Sequence, residues 1–385
     1  MVTIEEAIAL VEKFPLATKT EFLSLRAAQG RVLATAIHSP MSLPSFDNSA
    51  MDGYAVRGIY YRYKLIGTKK AGETNEIELA EGEACRIFTG AKIPLNAESV
   101  IMQEHVEVST DELVVHKTII AGSNIRRRGE ELNTGDLIFE KGHKLNAAGI
   151  GLLSSLGLTD VEVVTAPKIG ILLTGDELVS AGTPLLEGQI YEGNGASLCA
   201  ALAKISILPI EVRRVADDLE QVDQAVGELL ENSDLLLISG GISVGDFDFV
   251  SQALSNNAVD TIFYKVEQKP GKPLFFGRKD GKRVFAMPGN PASLLTCYYV
   301  YVELLLKTSR YLLTWNTNSV GYLTEKQEVK GTRPAFFRVK REGSAYKILD
   351  KQSSSMLHAF AKGEALVLLY PGINEVDKPY RIWHY

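Results

Sequence analysis

The chain has few cysteines and no long apolar run. Its three cysteines, among 385 residues, are far apart and odd in number, so the sequence predicts neither a disulfide framework nor a zinc site. Reduced thiols are typical of cytoplasmic proteins. No apolar run approaches the roughly 18 residues that a membrane-spanning helix needs. We therefore expect a cytoplasmic protein without a membrane span.

An excess of basic residues is also missing. The 41 lysines and arginines face 47 aspartates and glutamates, which gives a formal net charge of −6. Nucleic-acid-binding domains usually carry a basic surface, whereas the dense basic run at 126–128 is followed closely by Glu130 and Glu131. We expect this run to be a solvated loop, and we expect no nucleic-acid partner.

Two separate parts of the chain show the apolar spacing of helices. The first, at 3–35, begins with Thr3 and Glu6 arranged as a capping box, which is not how a signal peptide begins. The second lies at 145–158, where Asn146 can cap a helix. Between them come short β-like runs separated by glycines and charged turns, which are typical of a small β-rich domain.

Apolar strands alternate with helices between 167 and 307, and short β-like runs return beyond 310. The alternation indicates a parallel sheet with helices on both faces. We therefore predict a multidomain α/β fold with a central doubly wound parallel sheet, a helical N-terminal domain, an inserted β-rich domain and a C-terminal β domain of barrel or sandwich type. The predicted bounds are 1–38 together with 137–166, then 39–136, 167–307 and 308–385.

Three acidic residues follow strands of the predicted parallel sheet: Glu177 follows the first strand, Asp217 the second and Asp248 the third. Ligands bind outside the carboxyl ends of the strands in open parallel sheets. Three carboxylates at that edge raise each other's pKa unless a cation neutralises them, and oxygen ligands favour Mg²⁺. Each carboxylate alone fits an ordinary loop cap, but for the three together we favour a magnesium site.

A glycine-rich loop follows the third strand. Gly240, Gly241 and Ser243 can bring backbone N–H groups close to an anion. The loop lacks the Gly-Lys-Ser/Thr of a P-loop and does not match the dinucleotide fingerprint. It is therefore either a phosphate-binding loop or an ordinary tight turn between a strand and a helix.

A second candidate anion site combines a helix start with lysines. Pro288 and Pro291 flank Asn290, which can cap a helix whose N-terminus favours an anion. Lys265 and Lys269 lie upstream, and prolines stiffen the lysine-bearing segment. Fixed lysines beside a helix N-terminus make an oxyanion pocket, while the alternatives are a well-made helix start and a solvated charge run.

The stretch Phe-Asp-Asn-Ser-Ala-Met-Asp-Gly-Tyr-Ala-Val at 46–56 resembles the signature of the MoeA family, the molybdopterin molybdenumtransferases, which includes the C-terminal domain of gephyrin. The order and spacing of further motifs are similar to the family over about 40–310. These motifs lie at 89–91, 124–130, 174–178, 188–191, 239–245, 269–273 and 288–291.

The resemblance implies a four-part chain that forms a homodimer, with a molybdopterin-binding central domain of the MogA-like type and a site formed between subunits. It implies insertion of molybdate into adenylylated molybdopterin, release of AMP, and dependence on Mg²⁺ or a similar cation. Further partners that it allows are the molybdopterin adenylyltransferase of the preceding step and the molybdoenzymes that receive the cofactor.

The resemblance also gives roles to residues. It places the acidic metal and nucleotide site at Glu177, Asp217 and Asp248. We expect the catalytic residues to be Asp52, Lys265 and Lys269. The resemblance also implies that Lys265, Lys269 and Arg338 share one molybdate-binding pocket with Ser354. The expected substrate-binding residues, including those of the glycine loop, are Thr89, Gly240, Gly241, Ser243, Pro288, Pro291, Arg338 and Ser354. Glu131 stands where the family usually has aspartate, and its role stays open.

Two other functions fit parts of the sequence. Adenylylation of molybdopterin, the preceding step, uses enzymes with the same α/β segment, but these are much shorter and lack the flanking domains. A non-catalytic scaffold of the same fold need not keep the carboxylates and lysines. The resemblance over most of the chain favours molybdate insertion.

Overall fold

The computed structural model of the protein describes three stretches of the chain, residues 1–242, 249–309 and 319–385. Its first helix, α1 (Ile4–Lys13), begins as predicted, because Thr3 and Glu6 make both hydrogen bonds of the capping box. The apolar stripe of α1 is buried in the core that it shares with the central sheet. The first helix therefore anchors the N-terminus to the central part of the chain.

The helical prediction for the remainder of 3–35 is wrong. Helix α1 ends before Phe14, since the proline that follows disfavours helical backbone in the residue before it. The next elements are β1 (Thr20–Ser24), a 3-10 turn (Leu25–Ala27), β2 (Ile37–His38) and β3 (Asn48–Ser49). Exposed and half-buried residues alternate along β1, which is the period of a strand.

The part of the chain predicted to be rich in β-structure forms a six-stranded sheet. Its strands are β4 (Gly53–Val56), β5 (Arg62–Lys69), β6 (Glu83–Ile87), β7 (Ser99–Met102), β8 (Val106–Ser109) and β9 (Glu112–Val115). They lie in the order β7-β4-β6-β5-β9-β8, with β5 parallel to β6 and the other neighbours antiparallel. Two apolar clusters fill its two faces.

The chain then returns to the strands that precede this sheet. The returning elements are β10 (Ile125–Arg126), β11 (Leu137–Phe139), α2 (Ala147–Ser155) and β12 (Asp160–Val164). Strand β10 pairs with β3, β11 with β2 and β12 with β1. Asn146 caps α2 as predicted, because its side-chain oxygen accepts from the Gly149 N–H at 2.8 Å. The bounds of the four domains remain a prediction.

The central part alternates strands and helices, as predicted. Its strands are β13 (Ile169–Thr174), β14 (Leu178–Val179), β15 (Ile190–Tyr191), β16 (Glu211–Val215), β17 (Leu235–Ser239), β18 (Asp260–Tyr264), β19 (Phe275–Lys279) and β20 (Lys282–Met287). The helices between them are α3 (Asn194–Lys204), α4 (Leu219–Asn232) and α5 (Phe249–Asn256). Strands β13 and β17 are buried on both faces because helices cover the sheet.

One strand of the main sheet, β19, runs opposite to the others and so departs from the predicted parallel arrangement. The order is β16-β13-β17-β20-β19-β18; the first four strands are parallel, whereas β19 and β18 are antiparallel to their neighbours. The cause is a tight hairpin between β19 and β20, where Asp280 and Gly281 both have positive φ, 46° and 86°. Asp-Gly is a strong hairpin signal, so the sequence carried the information.

One long helical segment follows β20 and leads toward the C-terminal part. It consists of α6 (Pro291–Cys297), a π-helical turn (Tyr298–Val302) and α7 (Glu303–Thr308). Nearly all its residues are buried, and its apolar side chains lie in the same core as those of α1. The segment therefore forms the centre of the molecule's largest core.

The C-terminal part is built around a five-stranded antiparallel sheet in the order β21-β27-β25-β23-β24, with β22 and β26 paired separately. Its elements are β21 (Ser319–Gly321), β22 (Gln327–Val329), β23 (Ala335–Glu342), β24 (Ala345–Ile348), α8 (His358–Lys362), β25 (Ala365–Leu369), β26 (Gly372–Asn374) and β27 (Tyr380–His384). None of the helices in the described residues has the length and apolar content of a membrane span.

Candidate functional site

The loops that follow β13 and β16 bring carboxylates together at one edge of the central sheet. The backbone N–H of Asp217 donates to Asp176 Oδ1 at 3.0 Å, and the carbonyl of Glu177 accepts from Ile190 at 2.8 Å. We call Asp176, Glu177 and Asp217 the acidic edge. The structure thus brings Glu177 and Asp217 to one place, as expected for ends of neighbouring parallel strands.

Electrostatic crowding is visible at the acidic edge. Partial burial raises the pKa of Asp217 above its ordinary value, and the negative charges of Asp176 and Glu177 raise it further. Sequence reasoning missed Asp176, although it stands directly before Glu177. Its position just after β13, in the same loop as Glu177, was the available signal.

Two predicted residues, Ser243 and Asp248, lie outside the described residues. Within 1–242, 249–309 and 319–385, no group of three histidine, cysteine or acidic side chains is arranged to hold a metal ion. Of the three predicted metal ligands, the structure therefore describes Glu177 and Asp217, and the metal site remains a prediction.

The glycine loop packs tightly against the end of β13. Gly240 has a positive φ of 95°, and a Cβ there would lie 2.5 Å from the Thr174 carbonyl oxygen, so only glycine fits. The N–H of Gly240 donates to the Met287 carbonyl at 3.2 Å. This N–H, which was predicted to approach an anion, is therefore used within the fold, while Gly241 (φ 61°) continues the turn.

Asn194, the first residue of α3, ties two loops of this edge together. Its side-chain amide donates to the Ser239 hydroxyl at 2.9 Å and to the Gly289 carbonyl at 2.7 Å. The loops after β17 and β20 are thereby held side by side. Sequence reasoning did not identify Asn194, because nothing local shows that a helix start will reach two later strands.

A cavity of about 660 Å³ lies between the central part and the C-terminal sheet. Three predicted residues, Lys269, Pro288 and Ser354, line it. Three further basic residues line it as well: Lys272, which belongs to the lysine-bearing segment of the predicted oxyanion pocket, and Lys330 and Arg333, which were not predicted to bind substrate. We call this space the basic cavity, because its lining includes four cationic residues and one acidic residue, Glu328.

Backbone pairing between distant segments closes the basic cavity. The N–H of Lys269 donates to the Pro334 carbonyl at 2.9 Å, and its carbonyl accepts from the Phe336 N–H at 2.7 Å. The lysine-bearing segment is therefore attached to the start of β23 like an added strand. This attachment brings Arg333, one residue before Pro334, to the same cavity.

Arg338 lies behind the cavity wall. It is fully buried in β23, where burial lowers the pKa of its guanidinium to about 10. Its Nη2 donates to the Ser353 carbonyl at 3.2 Å, and the Gln352 side chain bonds to both backbone groups of Arg338. Arg338 therefore supports the segment that carries Ser354, whereas it was predicted to bind molybdate.

Lys265 does not line the cavity either. Its backbone has a positive φ of 69° and pairs with Leu274 and Val2, and its ammonium lies 4.7 Å from the ring centre of Tyr264. Of the three cations predicted to share one pocket, Lys265, Lys269 and Arg338, only Lys269 lines the basic cavity. The roles of all three remain predictions.

The helix start after β20 differs in one respect from expectation. Pro291 occupies the first helical position as predicted, but the Asn290 side chain makes no capping hydrogen bond; it lines the basic cavity. The Ala292 N–H donates to the Ser354 carbonyl at 2.9 Å. The helix start thus holds the serine segment of the C-terminal part in place.

A third group of predicted residues lies in the inserted sheet, where β4 begins and β6 ends. Asp52 Oδ1 accepts hydrogen bonds from the Thr89 N–H at 2.8 Å and from the Thr89 hydroxyl at 2.7 Å. These bonds, with a smaller contribution from the charge of Arg86, lower the pKa of Asp52. Asp52 and Thr89, predicted separately, therefore form one polar pair.

The signature stretch is held by the basic run that was predicted to be a solvated loop. Arg127 forms an ion pair of 2.7 Å with Asp47, whose other oxygen accepts from the Arg128 N–H at 2.8 Å. The backbone N–H of Glu131 donates to the Leu43 carbonyl at 3.0 Å. This run is therefore structural, because it fixes the loop that leads to Asp52.

Comparison with known proteins covers almost the whole chain. Residues 2–157 match the family model of the MoeA N-terminal region, domains I and II, and residues 170–308 match that of a probable molybdopterin binding domain. A molybdopterin molybdenumtransferase of Haemophilus influenzae is 34% identical over 96% of this chain and 94% of its own. The one of Nostoc sp. is 33% identical over 77% of this chain and 71% of its own.

Solved structures agree with these relatives. The crystal structure of a molybdopterin biosynthesis MoeA protein from Pyrococcus horikoshii is 30% identical and covers 100% of this chain and 99% of that chain, with a TM-score of 0.85. A second structure from the same organism, 27% identical, covers 100% of both chains with a TM-score of 0.82. This likeness over the full length confirms the predicted multidomain α/β fold class.

Proposed function

The chain belongs to the MoeA family of molybdopterin molybdenumtransferases, and we propose on this basis that it inserts molybdate into adenylylated molybdopterin and releases AMP. The observation that carries the proposal is the placement of two oppositely charged sites on one sheet. The acidic edge follows β13 and β16, and the basic cavity begins at Pro288, directly after β20. A substrate with a phosphate and an oxyanion co-substrate needs such a pair.

A divalent cation fits the acidic edge. Partial burial raises the pKa of Asp217, the charges of Asp176 and Glu177 raise it further, and a cation would offset both effects by stabilising the ionised carboxylate. Glu177, Asp217 and Asp248 would hold Mg²⁺, which would supply polarisation of the phosphate. The role of this chain's own residues is to orient the adenylylated end of the substrate against the loops that Asn194 ties together.

The basic cavity suits a tetrahedral dianion such as molybdate. Lys269, Lys272, Lys330 and Arg333 supply positive charge around about 660 Å³, and Ser354 adds a hydroxyl. The cavity adjoins the sheet edge through Pro288 and Asn290. Molybdate held there would stand next to a dithiolene whose adenylylated end lies at the carboxylates.

The Asp52–Thr89 pair belongs to the inserted sheet rather than to either of these sites. Its carboxylate is held ionised by two hydrogen bonds from Thr89. We propose that it completes the site of a second subunit in a homodimer, in the cytoplasm. The adenylyltransferase that supplies the substrate and the molybdoenzymes that receive the product are its proposed partners.

One observation separates insertion from adenylylation. Lys330, Arg333 and Ser354, which line the basic cavity, all come from beyond residue 319, outside the α/β segment that the two enzymes share. A catalyst made of the α/β segment alone would lack this wall. The C-terminal part is therefore tied to the molybdate step.

The decisive experiment incubates the protein with adenylylated molybdopterin, molybdate and Mg²⁺, and follows AMP together with reconstitution of a cofactor-free molybdoenzyme. We expect AMP release and active cofactor, both dependent on molybdate. Formation of adenylylated molybdopterin from ATP, with no molybdate-dependent release, would support the adenylyltransferase. Tight substrate binding without turnover would support the scaffold.

A further inference from the structure

The Gln268 side chain is fully buried beside the lysine-bearing segment. Its Nε2 donates to the carbonyls of Pro270 and Gly271, at 3.0 and 3.2 Å. Its backbone carbonyl accepts from Arg333 Nη1 at 3.3 Å. Gln268 carries no charge. It nevertheless contacts both the turn between Lys269 and Lys272 and the Arg333 side chain of the C-terminal part.

The turn leaves little freedom around this amide. Gly271 has a positive φ of 86°, and a Cβ there would lie 2.7 Å from Cys297 Sγ and 2.9 Å from Gln268 Nε2. The proline nitrogens of the segment have no N–H to donate, so its carbonyls depend on other donors. The Gln268 amide supplies them, and the turn has its shape only while that amide stays oriented.

Tyr301 fixes the orientation of the amide. The tyrosine lies on the π-helical turn, is fully buried, and donates its hydroxyl hydrogen to Gln268 Oε1. Tyr298, three residues earlier on the same turn, is also fully buried, but its hydroxyl has no hydrogen-bond partner among the described residues. The two tyrosines therefore share burial and location and differ in this bond.

We infer that Gln268 and Tyr301 are positioning residues for the oxyanion, which act by holding the Lys269–Lys272 turn and Arg333 in the geometry of the basic cavity. This inference rests on the proposed function of the cavity. The Gln268 and Tyr301 side chains are fully buried and bonded to protein groups, so they act through the lysines and the arginine that they hold. The π-helical turn, a feature often found at functional sites, is the element that points Tyr301 at Gln268.

The test compares Tyr301→Phe with its matched control Tyr298→Phe. Each change removes one buried hydroxyl from the same turn and keeps the aromatic ring, so the two variants differ in the loss of the bond to Gln268 Oε1. In Tyr301→Phe we expect the molybdate concentration for half-maximal AMP release to rise roughly 3- to 10-fold, the equivalent of one neutral hydrogen bond. Turnover at saturating molybdate should change little, and Tyr298→Phe should leave both quantities unchanged.

Gln268→Met is the stronger variant, because it keeps the side-chain volume while removing all side-chain hydrogen bonds. We expect a larger rise in the molybdate requirement than in Tyr301→Phe. This variant leaves buried carbonyls unpaired, which can prevent folding. If Gln268→Met does not fold, Tyr301→Phe alone decides the question.

Hydrogen exchange supplies a readout that does not depend on activity. Amides of residues 266–274 should exchange faster in Tyr301→Phe than in wild type, and at the wild-type rate in Tyr298→Phe. A wild-type protein without molybdate-dependent AMP release would overturn the proposed function, while the exchange result would still decide whether Tyr301 positions the turn. Equal behaviour of the two tyrosine variants, or a loss confined to turnover with normal molybdate dependence, would overturn the inference.

Discussion

The acidic edge and the basic cavity lie on the same central sheet, but different forces place their charges. At the acidic edge, short loops after parallel strands bring like charges together, and partial burial together with the charges of Asp176 and Glu177 raises the pKa of Asp217. At the basic cavity, uncharged buried groups such as Gln268 hold the segments that carry the cations. A bound cation would relieve the repulsion at the acidic edge, whereas the basic cavity is preorganised for its ligand.

This difference assigns separate ligands to the two regions. Neighbouring ionised carboxylates repel each other, so the acidic edge needs a cation to offset this repulsion. A cavity whose cations are fixed by neutral hydrogen bonds keeps its shape when empty, so it gains affinity by preorganisation. Substitutions at the acidic edge should therefore change how activity depends on Mg²⁺. Substitutions at the basic cavity should change how activity depends on molybdate.

The largest effect is expected for Asp217→Asn. Removing one carboxylate of the acidic edge weakens the hold on the cation, and metal polarisation contributes several kcal/mol to such reactions, so AMP release at limiting Mg²⁺ should fall on the order of 100- to 1,000-fold. High Mg²⁺ should restore part of it. The molybdate requirement, measured at saturating Mg²⁺, should stay normal; a raised molybdate requirement would join the two regions into one site.

Lys269→Ala should produce the reverse pattern. A charged hydrogen bond contributes about 1.5–3 kcal/mol, so losing this lysine should raise the molybdate concentration for half-maximal activity roughly 10- to 150-fold. Binding of the adenylylated pterin should change much less. Titrating molybdate at constant ionic strength measures the effect without bulk screening. Weak pterin binding with normal molybdate dependence would place Lys269 at the phosphate instead.

Mixed dimers of two variants test whether Asp52 serves the site of its own chain or that of the partner subunit. The expected change in activity is smaller than in the two preceding predictions. If the dimer's site combines two chains, co-expressed Asp52→Ala and Lys269→Ala chains, assayed at a molybdate concentration too low for the Lys269→Ala site to work, should regain about a quarter of wild-type activity, because half of randomly paired dimers contain one intact site. The control puts both changes on one chain, whose dimer with a wild-type chain should be inactive. The opposite result for the two pairings would place a complete site within one chain.

The two regions also differ in how far their residues could be predicted from the sequence. Glu177 and Asp217 could be placed together because parallel strands end at one edge, a rule that needs only the order of strands and helices. The wall of the basic cavity could not, since it depends on the pairing of Lys269 with Pro334 and Phe336, which lie more than 60 positions away. Burial of Arg338 followed from the same long-range packing.

Errors in the fold have a similar origin. The helical reading of 3–35 used apolar spacing alone and overlooked Pro15, and strand β1 exists because β12, far along the chain, pairs with it. The antiparallel strand β19 was a different case, because Asp280 and Gly281 are a local hairpin signal in the sequence. The direction of β19 was therefore missed because a local signal was not used, and strand β1 was missed because its partner lies far along the chain.

The smallest effect is expected for Asp176→Asn, which tests the repulsion assigned to the acidic edge. The asparagine oxygen can still accept the hydrogen bond from the Asp217 N–H, so the loop should keep its shape while one charge disappears.

Burial is the first cause of the raised pKa of Asp217 and persists in this variant, but the contribution from the charge of Asp176 is lost, so the pKa should move down toward its ordinary value. The cation needs the ionised carboxylate. On acidification, Mg²⁺-dependent activity should therefore persist to lower pH in Asp176→Asn than in wild type, measured relative to each protein's own maximum and at saturating molybdate.

Lys269→Ala, used as the control, should keep the wild-type midpoint, because its charge is expected to act on molybdate and not on the carboxylates. A midpoint that moves to higher pH in Asp176→Asn would mean that Asp176 stabilises the ionised form of its neighbour, and the description of the acidic edge as a site of stored repulsion would be wrong.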